Sequence, residues 1–365
     1  MIISCYFLSL LIRKSWIVFI YAIALSAESI IIEYLTSSFI QISPIMLSAI
    51  SITSAGIMLL MVTAFISKEK KEILFLFNKS WKNLILASLS LSLGIFTWYD
   101  SIKRIGASKE VLIAGPLEIV IIVMLARVFL NERLNRFHII GISMALTGFF
   151  MAVASDANIG VDDNIVETIK TTSLLSIISF GDIEAILSAF GFAIGVLFLS
   201  KLVLKHSSIE VAAASMFTSG LILVGFMIIG LLSYESNHIA LASNEVRFLR
   251  QPLINPIIIL LLFSLLPLIG SLSYSTGLSM IGASLTATIG SSSILITIMI
   301  QMMLKEFNIA SHLPENIFLA VLGGVSGFLG ICIIHMSDYS IPLMKRKSGP
   351  MKDILTFHYR YIATY

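Results

Sequence analysis

Apolar residues in this chain run in blocks of about twenty, parted by short polar turns, and within each block they occupy every helical position instead of one stripe. A stripe every three or four residues marks a helix resting on a water-soluble core, whereas a helix apolar all round faces hydrocarbon. At ~1.5 Å per residue such a block crosses a bilayer core of ~30 Å. The pattern predicts spans at 16–36, 43–66, 83–102, 108–130, 137–154, 183–204, 210–233, 256–277, 284–304 and 316–336. The ~10-residue alternation of a membrane barrel is not what these blocks show. The expected fold class is therefore an all-α integral membrane protein with ten transmembrane helices.

The blocks also repeat. Gly106, Ala107 and Ser108 open the fourth span and recur as Gly282, Ala283 and Ser284 at the ninth, while Leu130-Asn131-Glu132 and Leu304-Lys305-Glu306 close the two copies. Thr53-Ser54-Ala55 in the second span is matched by Thr218-Ser219-Gly220 in the seventh, and Thr147-Gly148-Phe149 in the fifth by Ser326-Gly327-Phe328 in the tenth. Five is odd, so the second set of five crosses the membrane in the opposite sense, which makes two inverted five-helix repeats. The expected division is residues 1–154 for the first repeat with its N-terminal segment, 155–181 for an acidic extracytoplasmic linker, 182–337 for the second repeat and 338–365 for a cytoplasmic tail. Small residues four apart in the fifth and tenth spans, Gly141, Ala145 and Gly148 with Gly323, Gly327 and Gly330, let backbones come close. They serve packing within the chain or a homodimer face.

Composition changes little in this picture: 57% of the residues are hydrophobic and 12% charged, about half the charged share of a soluble domain. The net charge of +3 is no nucleic-acid signal. Of the 24 Lys and Arg, 17 fall on one side of the predicted topology, which places both termini in the cytoplasm. The N-terminus has neither the charged start nor the small-residue cleavage site of a removed signal peptide. Cys5 and Cys332 lie far apart in apolar sequence and form no disulfide or metal framework. No cofactor or metal is expected.

Two carboxylates fall inside spans. Glu118 lies 12 residues past Gly106 and Glu28 lies 12 residues past Trp16, so each stands about 18 Å from opposite surfaces and their depths differ by about 6 Å. A charge there costs ~2.5–3.5 kcal/mol on insertion scales and turns towards a cavity or partner. Paired acids at one depth suit a proton or cation site. Ser293, Thr297 and Gln301 recur every four residues and share one helix face, while Tyr99 and Trp98 on the third span and Tyr274 on the eighth occupy corresponding places in the two repeats. The candidate substrate or ion site is thus Glu28, Glu118, Tyr99, Tyr274, Ser293 and Thr297. Glu33 is expected among headgroups, and Glu110 in solvent or paired with Lys103 or Arg104.

Two sets of five spans, the Gly-Ala-Ser start of the fourth, Pro116 inside it and Leu130-Asn131-Glu132-Arg133-Leu134 before the glycine-spaced fifth resemble the drug/metabolite transporter superfamily, in particular its ten-helix EamA-like members. Ala27-Glu28 in the first span is also similar to the small multidrug resistance branch, whose first-helix glutamate binds cations and protons. The chain departs from the pattern in having Ser292 where the first copy has Pro116, and no cation in the 48–53 region. The resemblance implies alternating-access movement, often export, of a small organic solute by a cell-membrane protein that is monomeric or homodimeric.

Two acids and no intramembrane base favour a cationic or zwitterionic metabolite or drug over a sugar phosphate, with a site built mainly from spans 1, 3, 4, 6, 8 and 9. The competing readings are a membrane scaffold with a filled interior and an intramembrane aspartyl protease built on Asp100 of Tyr99-Asp100 and Asp182 of Phe180-Gly181-Asp182, where two aspartates would share a proton. An enzyme is not the expected outcome.

Overall fold

The structure, a computed structural model, describes residues 2–37, 42–66, 80–130, 136–155, 178–235, 256–307 and 312–339. The Asn131–Leu134 signature, most of the 155–181 linker and all but the first two residues of the 338–365 tail lie outside these residues. The described helices are α1 (Ile2–Ser37), α2 (Pro44–Ile66), α3 (Trp81–Ile105), α4 (Ala107–Leu130), α5 (Arg136–Ala154), α6 (Phe180–Val203), α7 (Ser208–Glu235), α8 (Pro256–Phe263), α9 (Leu265–Ile281), α10 (Ala283–Gly290), α11 (Ser293–Glu306) and α12 (Ile317–Tyr339). Nine stretches among the described residues are long and apolar enough to cross a membrane, and α4, at 24 residues, completes the ten predicted spans. The protein is an all-α, multi-pass membrane protein. Its outward faces carry aliphatic and aromatic side chains such as Phe65, 90% exposed, and Phe318, 74% exposed, a surface that only hydrocarbon solvates well.

Two of the ten spans are each made of two helices. The eighth is interrupted at Ser264 between α8 and α9, and the ninth at Ser291 and Ser292 between α10 and α11. At the second break the Ser292 amide donates to the Ile289 carbonyl and the Ile294 amide to the Ser291 carbonyl, the three-residue reach of a tightened 3₁₀ turn. The break falls where the other copy holds Pro116, yet α4 runs through Pro116 unbroken. Two serine hydroxyls return to the local carbonyls, Ser291 to Thr288 and Ser292 to Ile289, and such back-bonding bends helices.

The Gly-Ala-Ser echo has a backbone meaning. Gly106 and Gly282 have φ of 81° and 84° with ψ of 160° and 168°, an extended positive-φ region that is essentially glycine's alone and costs other residues about 1–3 kcal/mol, and each joins two helices through a single residue. At Gly106 a Cβ would also stand 2.7 Å from His312 Cβ.

Four helix pairings dominate the packing: α1 with α9, α2 with α7, α3 with α6 and α5 with α12. In span numbers these are 1–8, 2–7, 3–6 and 5–10, a set unchanged when spans one to five are exchanged for six to ten. The glycines of α5 and α12 meet each other: a Cβ on Gly148 would lie 2.5 Å from the Gly323 carbonyl oxygen, and one on Gly330 2.6 Å from the Gly141 carbonyl oxygen. Their four-residue spacing therefore serves backbone approach within the chain, and this pair stands away from the cavity described next.

Candidate functional site

Between the halves lies a cavity of about 180 Å³, slightly more room than an engineered ~150 Å³ hole that holds benzene. This open interior is not the filled one a scaffold would have. Its wall comes from α1, α3, α4, α6, α9 and the α10–α11 break, as expected, with Ile52 of α2 and Ser215, Met216 and Ser219 of α7 added at the edges.

Three carboxylates face it, Glu28, Glu110 and Glu118, and among the described residues no Lys, Arg or His side chain lines it. Two of the acids are held by neighbouring aromatic residues of α3. Tyr99 Oη donates to Glu28 Oε1 at 2.8 Å, and Trp98 Nε1 donates to Glu110 Oε2 at 2.9 Å. Successive residues of a helix point about 100° apart, so Tyr99 reaches back to α1 while Trp98 reaches across to α4. Ser51 Oγ shares a 3.2 Å hydrogen bond with the Tyr99 hydroxyl, and Ser188 Oγ approaches Glu110 Oε1 at 3.3 Å. Glu118 takes no hydrogen bond from the described residues and remains available to whatever enters.

The other wall is aromatic. The rings of Tyr21 and Tyr274 stand 4.7 Å apart and tilted, and Trp98 meets Phe192 edge-on at 5.9 Å. The Tyr274 hydroxyl is buried with no hydrogen-bond partner. Aromatic faces beside carboxylates, with no competing base, attract a cation through both charge and the ring quadrupole.

The six candidates separate. Glu28, Glu118, Tyr274 and Ser293 line the cavity; Tyr99 and Thr297 do not. Tyr99 is fully buried behind Glu28 and acts as its holder. Thr297 is fully buried one turn beyond Ser293, its hydroxyl unpartnered.

Sequence reasoning misplaced two charges. Glu110, expected in solvent or against Lys103 or Arg104, is a cavity residue, 1% exposed. Glu33, expected among headgroups, is 3% exposed. It accepts the Ala107 amide at 2.8 Å and the His312 amide at 2.6 Å, a short hydrogen bond from Gln301 Nε2, and His312 Nδ1 at 3.2 Å. Lys109 is buried against Asp182, Nζ to Oδ1 2.9 Å. Asp182 also completes a capping box with Ser179 at the start of α6, its Oδ2 taking the Ser179 amide at 2.7 Å. Ser179 followed three residues later by an acid was a readable signal for that cap. Asp100 pairs instead with Arg104, which also reaches Glu184 at 2.9 Å. The two aspartates of the protease reading are thus each committed to a different cation. The Glu33 hydrogen bond raises the His312 imidazole above its ordinary range. Among the described residues no group of His, Cys, Asp and Glu could hold a metal ion.

The EamA-like transporter family model matches residues 14–154, the first five spans, so that part of the chain is similar to the EamA-like transporters. No curated protein matches the chain. A crystal structure of a protein, one of 26 similar solved chains, superposes with a TM-score of 0.55 at 13% identity over 91% of this chain and 99% of its own. That likeness is one of fold.

Proposed function

We propose that this protein is a secondary transporter that moves a small organic cation or zwitterion across the cell membrane by alternating access, with protons exchanged at Glu28 and Glu118. The observation that carries the reading is the cavity itself: three carboxylates and four aromatic rings without one basic side chain on the wall. The halves, residues 1–154 and 182–337, act as an inverted repeat that rocks about the cavity, a reading supported by the paired helices and by the matched Gly106 and Gly282 joints. Both termini face the cytoplasm, supported by the distribution of Lys and Arg.

The chemistry follows from competition. A carboxylate in low dielectric cannot remain charged without a partner, so an arriving cation displaces a proton, and a returning proton displaces the cation. Glu118, with no protein donor on it, is the group most open to that exchange; Glu28 is second, sharing its charge with Tyr99.

The test is uptake of an organic cation into proteoliposomes driven by a pH gradient. Glu118→Gln and Glu28→Gln are each expected to lower gradient-driven uptake at least tenfold and to flatten its pH dependence. An unchanged pH dependence in both variants sinks the coupling. Stabilisation of the purified protein by phosphorylated compounds and by no amine would reverse the electrostatic reading.

A further inference from the structure

The cavity is long, not round. Its α4 wall is made by Glu110, Val111, Ala114, Gly115, Glu118 and Ile119, one face followed for eight residues and more, which is about 12 Å along the helix axis. A volume of about 180 Å³ drawn out over that length leaves a slot and not a sphere. A carboxylate stands at either end of that stretch. Both side chains lean the same way, towards the start of α4, so the separation of their oxygens along the axis stays near that of their Cα atoms.

The two ends are furnished differently but completely. At one, Glu110 is fixed by the Trp98 indole at 2.9 Å, and Trp98 itself presents a ring to the cavity. At the other, Glu118 takes no hydrogen bond from the described residues, and in the same cavity the buried Tyr274 hydroxyl has no hydrogen-bond partner among them. A buried hydroxyl left unpaired costs about 1–3 kcal/mol, and a donor arriving with the solute would satisfy it. The slot between the ends is walled by Leu91, Ile95, Phe192 and Val196, which suits methylene groups.

Resting on the cation reading above, we infer that the solute is a linear dication, an α,ω-diamine, with one ammonium on Glu110 and the other between Glu118 and the Tyr274 hydroxyl. An extended four-carbon diamine sets its nitrogens about 6 Å apart. A charge-assisted hydrogen bond of about 2.8 Å at each end extends the reach from acceptor to acceptor to about 12 Å. That matches the Glu110-to-Glu118 rise. Glu28, held by Tyr99 on the α1 side, is left for the proton. Glu110 is thus the residue that distinguishes a diamine from a monoamine of the same length.

The experiment compares 1,4-diaminobutane with 1-butylamine on the purified full-length protein, reading the concentration of each that gives half-maximal thermal stabilisation at pH 7. The diamine is expected to act at a concentration at least tenfold lower. In Glu110→Gln, which keeps an acceptor for the Trp98 indole, the ratio of the two concentrations should fall towards one. Glu110→Asp, which keeps the charge on a shorter arm, should move the preference to 1,5-diaminopentane, and it serves where the glutamine variant does not fold. Equal action of both amines on the wild type overturns the dication while leaving the cation reading intact. Failure of both amines, with no other amine binding, overturns the cation reading itself. A ratio unchanged in Glu110→Gln, or an unchanged chain-length preference in Glu110→Asp, removes Glu110 from the site.

Discussion

Two acidic regions of this protein, which adjoin at the neighbouring residues Lys109 and Glu110 of α4, are built on opposite rules. At the start of the helix Lys109 meets Asp182, Arg104 meets Asp100 and Glu184, and Glu33 meets His312, Gln301 and two backbone amides. Each carboxylate there has a cation or a set of donors. In the cavity below, Glu28, Glu110 and Glu118 share a wall with no cation at all. Buried charge is tolerated only when paired, so the first region holds its charges as it stands, whereas the cavity acids either take up protons or, on the proposed function, receive a cation. The paired region ties α1, α3, α4, α6, α11 and the segment before α12 together, and it closes the bundle at that end; the unpaired one lies between the same helices.

The comparison is broken most forcefully by making a paired acid into an unpaired one. Lys109→Met leaves Asp182, which is fully buried, without its cation, and loss of one partner of a buried pair costs ~3–5 kcal/mol. Thermal unfolding in detergent should show that loss, with part of it restored in Lys109→Met/Asp182→Leu. A double variant no more stable than the single one would mean that the cost does not lie in the uncompensated charge.

A smaller effect is expected from Tyr99→Phe, which keeps the ring and removes the donor on Glu28. A hydrogen bond to a charged group contributes about 1.5–3 kcal/mol. Because Glu28 is a cavity acid, the loss should appear in the pH dependence of uptake as well as in stability. Stability lost with an unmoved pH profile would place Glu28 with the structural acids and blur the distinction.

Gly106→Ala tests the joint on which the paired region rests. A φ of 81° with ψ of 160° costs about 1–3 kcal/mol for alanine, and the new Cβ meets His312 at 2.7 Å. Gly282, with the same φ and nothing within 4 Å, should show only the conformational part in Gly282→Ala. Equal losses at the two glycines would mean that the contact with His312 contributes nothing.

The smallest effect concerns His312, whose side chain is 63% exposed, so solvent screens its pair with Glu33. The Glu33 hydrogen bond raises its folded pKa. A raised histidine contributes stability that is fully present below its unfolded value of about 6.5 and is lost as pH climbs through the higher folded value. The gap in melting temperature between wild type and His312→Gln should therefore be widest near pH 6 and shrink above pH 8. A gap that does not change with pH would mean that the contact acts through the His312 backbone amide alone.

Legibility in the sequence followed physical range. Nine of the ten predicted spans agree with the helices within a few residues, because each depends only on a local run of apolar residues long enough for hydrocarbon; the first is the C-terminal part of α1, which begins 14 residues earlier at Ile2. The recurrence of Gly106 at Gly282 was likewise visible in the chain, whereas the positive φ of both came only from the structure. Trp98, Tyr99 and Glu110 were beyond such reading along the chain. Whether Glu110 two residues into a helix sees water or a cavity depends on α3 and α6 packing over it, and sequence spacing carries no record of that approach. Glu33 and Lys109 went the same way: their partners, His312 and Asp182, are brought near only by the crossing of distant helices.

By itself the sequence determined that this is an all-α membrane protein and where its apolar helices lie, since both are set by hydrophobicity and rise along a single helix. Tertiary structure alone decided which acids are paired and which face the cavity. Charge in a low-dielectric interior is governed by neighbours within a few ångströms, and those neighbours here come from other helices.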